Sequence, residues 1–407
     1  MAKTRTVFFC TECGNETARW QGQCPACSAW NTLVEEPNAP RSRKSVSAPQ
    51  RAPATASAAK LADLATHPEQ RWQTGLDELD FVLGGGVVPG SLILVGGEPG
   101  IGKSTLLLQV AARLAASGKR SLYISGEESG AQVRLRADRL EEDTAEVLFL
   151  GETDLARILS QAEEHAPAVL FVDSIQTTYT EDIEGAPGNV GQVRECAARL
   201  QRFAKENGVA VFLVGHVTKG GTVAGPKTLE HIVDTVLYFE DSGSLDHRVL
   251  RATKNRFGGV DEIGVFRMMA RGLVPVANPS ELFLQDRHAG VSGSAVLATI
   301  EGTRPLLVEV QALCTKASYG APQRVVTGFD RQRLALLLAV LEQRAGIPFG
   351  QLDVFLNVVG GVQIEETAGD LAVVAALMSA VLNRELPANA VFVGEVGLGG
   401  ELRAVSQ

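Results

Sequence analysis

Short apolar runs recur between about residues 61 and 276, and stretches of helical period separate them. The runs include Leu92-Ile93-Leu94-Val95, Leu122-Tyr123-Ile124, Val169-Leu170-Phe171-Val172 and residues 209–214. A run that is apolar at every position, not only at alternate ones, suits a strand buried on both faces. Its alternation with helices predicts an α/β core, a parallel sheet covered on both sides. A helix is predicted over residues 103–117, directly after the first run.

The chemistry lies at the carboxyl end of each run. After the first comes Gly97-Glu98-Pro99-Gly100-Ile101-Gly102-Lys103-Ser104, then Thr105. This fits the P-loop pattern, in which glycines let backbone N–H groups close around β- and γ-phosphates. Lys103 supplies a point charge, Ser104 a hydroxyl for Mg²⁺, and the helix beyond aims its positive end at the phosphates. The second run ends in Gly126-Glu127-Glu128, and the third in Asp173. Carboxylates at the carboxyl ends of parallel strands face the same crevice as the P-loop. Glu127 is the candidate to polarise the attacking water, and Asp173 the candidate to hold the Mg²⁺ hydration shell. The fourth run ends in Gly215-His216, where the imidazole is either a γ-phosphate sensor or an ordinary strand-end histidine.

Two further segments are polar and basic. Residues 218–227, TKGGTVAGPK, lack apolar anchors and read as a mobile loop in which Lys219 and Lys227 can track a phosphate backbone. The loop over 177–191 carries Glu181, Asp182 and Glu184 and suits phosphate contact less well. A strand over 249–253 leads into Lys254-Asn255-Arg256-Phe257-Gly258. Its two cations fit either a finger reaching a neighbouring subunit's γ-phosphate or a pair of surface charges in a turn.

The cysteines divide the chain further. Four of the six fall in the first 27 residues, as Cys10-x₂-Cys13 and Cys24-x₂-Cys27 separated by ten residues. Two such knuckles predict a closed, structural Zn²⁺ site more readily than a redox pair, with no catalysis at the metal. Cys196 and Cys314 read as ordinary buried thiols. Residues 37–60 are rich in Ala, Pro, Ser and Arg and read as a flexible tether. The expected organisation is a finger over 1–36, a linker over 37–60, an ATPase core over 61–280 and a further domain over 281–407.

With 407 residues, 45% of them hydrophobic, the chain is long enough for about two to three domains. No apolar run reaches the ~18 residues that span a bilayer, and the start lacks a signal-peptide core, so a soluble, cytoplasmic protein without membrane contact is expected. A formal charge of −9 argues against a surface coated for nucleic acid, although the amino-terminal arm is locally basic.

The four-cysteine finger, GEPGIGKST, SGEES, the apolar strand ending in Asp173, GHVTKGG and KNRFG occur in that order. Together they resemble the bacterial RadA (Sms) family of DNA-repair proteins, over nearly the whole chain. The resemblance implies a RecA-type ATPase core that assembles as a hexameric ring. It implies ATP-dependent branch migration on single-stranded and branched DNA beside the RecA recombinase. It assigns Lys103, Ser104 and Asp173 to nucleotide and Mg²⁺, Glu127 to acid–base work and His216 to sensing. It also makes Lys254 and Arg256 trans-acting and puts Lys219 and Lys227 in a DNA-binding loop.

From about Leu282 the chain resembles the proteolytic domain of Lon, an α+β fold, on DVFLNVVGG from Asp353 and VGEVGL from Val393. Where Lon has its nucleophilic serine, this chain has Ala368; the dyad lysine would lie beyond Gln407, so a short further tail is expected. A dyad needs both partners. The resemblance therefore implies a protease fold without peptidase activity. An ATP-dependent protease and a RecA-core signalling ATPase are the alternatives.

Overall fold

The computed structural model describes residues 5–10, 16–17, 19–25, 29–38, 70–216, 226–241, 247–260, 262–285, 287–288, 290–317 and 321–405. Cys13, Cys27 and Lys219 lie outside these residues, as does the predicted linker beyond Asn38.

The finger is a three-stranded antiparallel sheet in which Arg5–Cys10 lies between Glu16–Thr17 and Leu33–Asn38. That last strand runs two residues into the stretch read as linker. Its buried cluster is small: Cys10, Cys24 and Leu33, with Phe8 packed against them.

The chain forms two compact units, the first comprising Met1–Gly75, Leu83–Tyr238 and Lys254–Gly258. Within it, parallel strands stand in the order Leu92–Gly97, Ala210–His216, Val169–Asp173, Ser121–Ser125, Val147–Leu150. The first four are buried along almost their whole length, as continuous apolar runs in a doubly covered sheet should be. Alternate residues Leu92, Leu94, Leu170, Val172, Val211 and Leu213 pack under the helices Leu155–His165 and Val190–Asn207. Their neighbours Tyr123, Phe171 and Phe212 form a stacked aromatic row in the register between them. The helix Lys103–Ala116 lies against these strands as well.

The second unit comprises Leu76–Val82, Phe239–Thr253 and Gly259–Gln407. Residues 239–253 and 259–280, expected in the ATPase core, group by compactness with the residues that follow them. Residues 247–251 pair antiparallel with Ile263–Met269, and the short helix Asp77–Val82 belongs with them. Its Glu78 accepts from the Val265 N–H at 2.8 Å and from Arg304 at 2.5 Å, so distant segments close around one buried carboxylate. The rest is a five-stranded mixed sheet in the order Arg324–Thr327, Leu352–Val358, Arg304–Lys316, Ser294–Glu301, Val391–Phe392. The helices Arg331–Ala345 and Asp370–Leu382 share a core with its inward residues, among them Leu297, Val308, Val310 and Leu356. Sheet and helices segregate in this way in α+β folds.

Candidate nucleotide site

Strand register brings the sequence motifs together. Gly97 pairs with His216, and Ser125, which leads into Gly126-Glu127, pairs with Asp173. Val169–Asp173 in turn pairs with the His216 strand. All four motif ends therefore lie side by side at the carboxyl edge of one parallel sheet, where such sheets bind ligands.

The P-loop adopts the backbone that its glycines allow. Gly97, Gly100 and Gly102 have φ of 151°, 78° and 121°, values an L side chain resists. A Cβ added at Gly100 would meet nothing within 4 Å, so this position calls for glycine through its φ and not through crowding. Gly102 precedes the helix Lys103–Ala116 with no side-chain cap, leaving the first N–H groups for a ligand. Glu98, Pro99 and Gly100 are exposed, Ile101 is buried, and Ser104 and Thr105 are half-buried in the first helical turn. Lys103 is only 3% exposed. Its Nζ donates to the carbonyls of Gly97 at 2.9 Å and Glu98 at 2.8 Å. Burial lowers its pKa to about 8, although the negative charges of Asp173 and Glu127 pull it back up.

Asp173 is buried and accepts the Tyr123 hydroxyl on Oδ2 at 2.7 Å. Burial and the neighbouring carboxylate hold the Tyr123 pKa well above its ordinary value, so the phenol stays a donor. Glu127 lies at the mouth of the crevice. Ser174 Oγ donates to its Oε1 at 2.6 Å, and His216 Nε2 stands 3.4 Å from the same oxygen. The His216 contact is the main reason that the Glu127 pKa falls to about 2, with Ser174 and Lys103 adding to it against the opposing effect of desolvation. Next in the chain, Glu128 pairs with Arg136, and Ser129 caps the helix Gly130–Leu140 in a capping box with Gln132. The SGEES segment is therefore fixed at both ends.

Lys254 and Arg256 converge elsewhere. Lys254 Nζ donates to the carbonyls of Glu230 at 2.5 Å and Val233 at 2.8 Å, and Arg256 Nη1 pairs with Asp234 Oδ1 at 3.3 Å. Asp234 also accepts from the N–H of Leu92, the first residue of the P-loop strand. The two cations thus lie at the amino end of that strand, roughly 17 Å of extended chain from Gly97. The structure does not bring them to their own subunit's P-loop. Lys227 is exposed in the turn Pro226–Thr228.

Cys10 and Cys24 are both buried, at 0% and 1% exposure, although the small finger could have left them at its surface. Two inward thiols in a cluster of four side chains suit a thiolate-bound metal.

In the second unit Ala368 is 8% exposed in the turn Thr367–Gly369 and carries no hydroxyl. The Thr367 hydroxyl donates to Glu395 Oε2 at 3.0 Å. Asp370, fully buried, is held by Arg333 and by the Val396 N–H.

Sequence reasoning missed Tyr123, Ser174 and Asp234. Tyr123 was visible as the one polar-tipped residue inside an apolar run, and Ser174 as the residue after the strand-end acid. Asp234 gave no signal, because its role depends on a contact 142 residues away in sequence.

A family model described as "AAA domain" matches residues 55–222, and one described as "Rubredoxin metal binding domain" matches residues 8–35. Curated proteins named "DNA repair protein RadA" are similar over the whole of this chain. The one from Halalkalibacterium halodurans is 50% identical, the one from Bacillus subtilis 51% and the one from Pseudomonas aeruginosa 52%, with 89% of each relative covered. Among solved structures, the crystal structure of a KaiC-like protein, PH0186, from Pyrococcus horikoshii OT3 aligns over 51% of this chain at 19% identity and a TM-score of 0.44.

Proposed function

The chain belongs to the RadA family of bacterial DNA-repair proteins, and from that premise we propose that it is an ATP-hydrolysing motor acting on single-stranded and branched DNA. The observation that carries this reading is the alignment of the P-loop, Glu127, Asp173 and His216 along one sheet edge. Metal-binding ribbon and nucleotide-binding core support Zn²⁺ and ATP as cofactors, and Mg²⁺ accompanies the nucleotide in this reading.

Residues 97–103 would cradle the phosphates, and Lys103 would exchange its two carbonyl partners for phosphate oxygens. Ser104 and Asp173 would hold Mg²⁺, which when bound supplies charge neutralisation across the β- and γ-phosphates. Glu127, ionised at any working pH, accepts a hydrogen bond from the attacking water and so orients it. Its low proton affinity makes it a better aligner than a strong base. His216 stands between Glu127 and the end of the P-loop strand, where it can exchange one for a γ-phosphate.

Lys254 and Arg256, remote from their own P-loop, are proposed to serve a neighbouring subunit's nucleotide. That role requires a homo-oligomer, in this reading a hexameric ring, with Lys219 and Lys227 tracking DNA inside it. Branch migration beside RecA, in the cytoplasm, completes the proposal. Among the described residues no helix is long and apolar enough to cross a membrane. The Lon-like unit is proposed to serve assembly and DNA handling without peptidase activity, since Ala368 has no nucleophile.

The test is steady-state ATP hydrolysis with and without single-stranded DNA, for wild type and Lys103→Ala. DNA-stimulated turnover that Lys103→Ala abolishes is the expected result. Turnover indifferent to DNA, with no DNA binding at low salt, would remove the motor reading.

A further inference from the structure

We propose that Ser174 is a positioning residue for hydrolysis, dedicating one oxygen of Glu127 to the protein so that the other is presented to water. The inference rests on the ATPase reading above and deepens it.

Ser174 comes directly after Asp173 and is 1% exposed. Its Oγ donates to Glu127 Oε1 at 2.6 Å, the short distance of a charge-assisted bond. Oε1 also faces His216 Nε2 at 3.4 Å, so one carboxylate oxygen meets both neighbours. Among the described residues both contacts fall on Oε1, and in this proposal Oε2 is the oxygen that orients a nucleophile.

Ser174 itself has little freedom. Its carbonyl accepts the hydroxyls of Thr177 at 2.9 Å and Thr178 at 3.1 Å, and the next residue's N–H bonds to the Val214 carbonyl at 3.1 Å. The same two strand ends are tied once more by the Gly126 N–H, which donates to the Asp173 carbonyl at 2.9 Å. A Cβ at Gly126 would collide with Thr177 Oγ1, so the SGEES turn fits here only as glycine. The arrangement therefore ties the carboxylate that would orient water to the residue after the carboxylate that would hold Mg²⁺. Positioning of this kind matters because small misplacements of a reacting group cost large factors in rate.

The experiment compares kcat and KM for ATP in wild type, Ser174→Ala, Glu127→Gln and the double variant, with nucleotide affinity measured separately by a fluorescent ATP analogue. Ser174→Ala is expected to lower kcat roughly 10- to 100-fold while KM and analogue affinity change less than about threefold. In the Glu127→Gln background the same change is expected to cost nothing further, because Ser174 acts only through that carboxylate. Wild-type kcat in Ser174→Ala, a loss that repeats in full in the double variant, or a parallel loss of analogue binding would each overturn the inference while leaving the ATPase reading intact. A wild-type chain that binds the analogue yet never turns over ATP would overturn both.

Discussion

Tyr123 reaches Asp173 from the middle of the adjacent strand and donates its hydroxyl to Oδ2 at 2.7 Å. The ring is stacked in a row with Phe171 and Phe212, so the donor is held by packing and has no rotational choice. One oxygen of the buried carboxylate is thereby satisfied inside the sheet, and the proposed metal-holding role falls to the other.

Tyr123→Phe keeps the row and removes only the donor. Losing a hydrogen bond to a buried charged group costs about 1.5–3 kcal/mol, so the thermal midpoint should fall. The Mg²⁺ concentration giving half-maximal turnover is expected to rise several-fold. Thermal denaturation and a Mg²⁺ titration check this together; an unchanged midpoint and Mg²⁺ requirement would mean that Asp173 does not depend on Tyr123.

Lys103 should make nucleotide binding proton-linked. Burial brings its pKa in the free protein from 10.5 down to about 8. Between those values the unfolded chain binds more protons, so this group's contribution makes stability rise with pH from about 8 to 10.5. Phosphates arriving beside Nζ should restore the proton. Near pH 8–9, ATP binding is expected to take up protons, seen as a calorimetric enthalpy that varies with the ionisation heat of the buffer. A buffer-independent enthalpy would refute the linkage.

Glu127 acts in the opposite window. Its pKa falls from 4.5 to about 2 in the folded protein, so its stabilising contribution is complete above about 4.5 and is lost as pH drops towards 2. Glu127→Gln should lower the thermal midpoint at pH 7 to 8, where that contribution is complete, and the two curves should converge as pH falls towards 2. Midpoints measured from pH 2 to 8 would expose a parallel shift at all pH, the outcome against it.

The placement of Arg256 predicts complementation. In the proposed ring Lys103→Ala would lack the phosphate cradle and Arg256→Ala the finger, so each alone should be inactive. Mixed, they would form interfaces that pair an intact cradle with an intact finger, and hydrolysis should reappear. Mixtures as inactive as their components would mean that Arg256 serves only Asp234 in its own chain.

Metal should stabilise the finger and little else. Its described core is Cys10, Cys24, Leu33 and Phe8, too small to fold unaided. Purified protein should carry about one zinc per chain. Chelation or Cys24→Ser should melt residues 5–38 while the nucleotide core keeps its own thermal transition, by circular dichroism and calorimetry.

By itself the sequence determined the local structure and named the candidate residues. Continuous apolar runs required strands buried on both faces, and the glycines from Gly97 to Gly102 required a loop with φ values closed to other residues. Polar groups at the runs' ends then had to face one crevice, since parallel strands all point the same way. Periodicity and spacing report such features because each depends on a few neighbouring residues. Tertiary structure alone decided which strands are adjacent, and hence that Glu127 meets both Ser174 and His216 at one oxygen. It decided that Asp173 rests on Tyr123, that Asp234 gathers Leu92 and Arg256, and that Leu76–Val82 and Phe239–Thr253 join the carboxyl-terminal unit. Those relationships are hydrogen bonds and packing between segments dozens to hundreds of residues apart. No local pattern records them, because the pairing of strands that creates them is chosen by the free energy of the whole core.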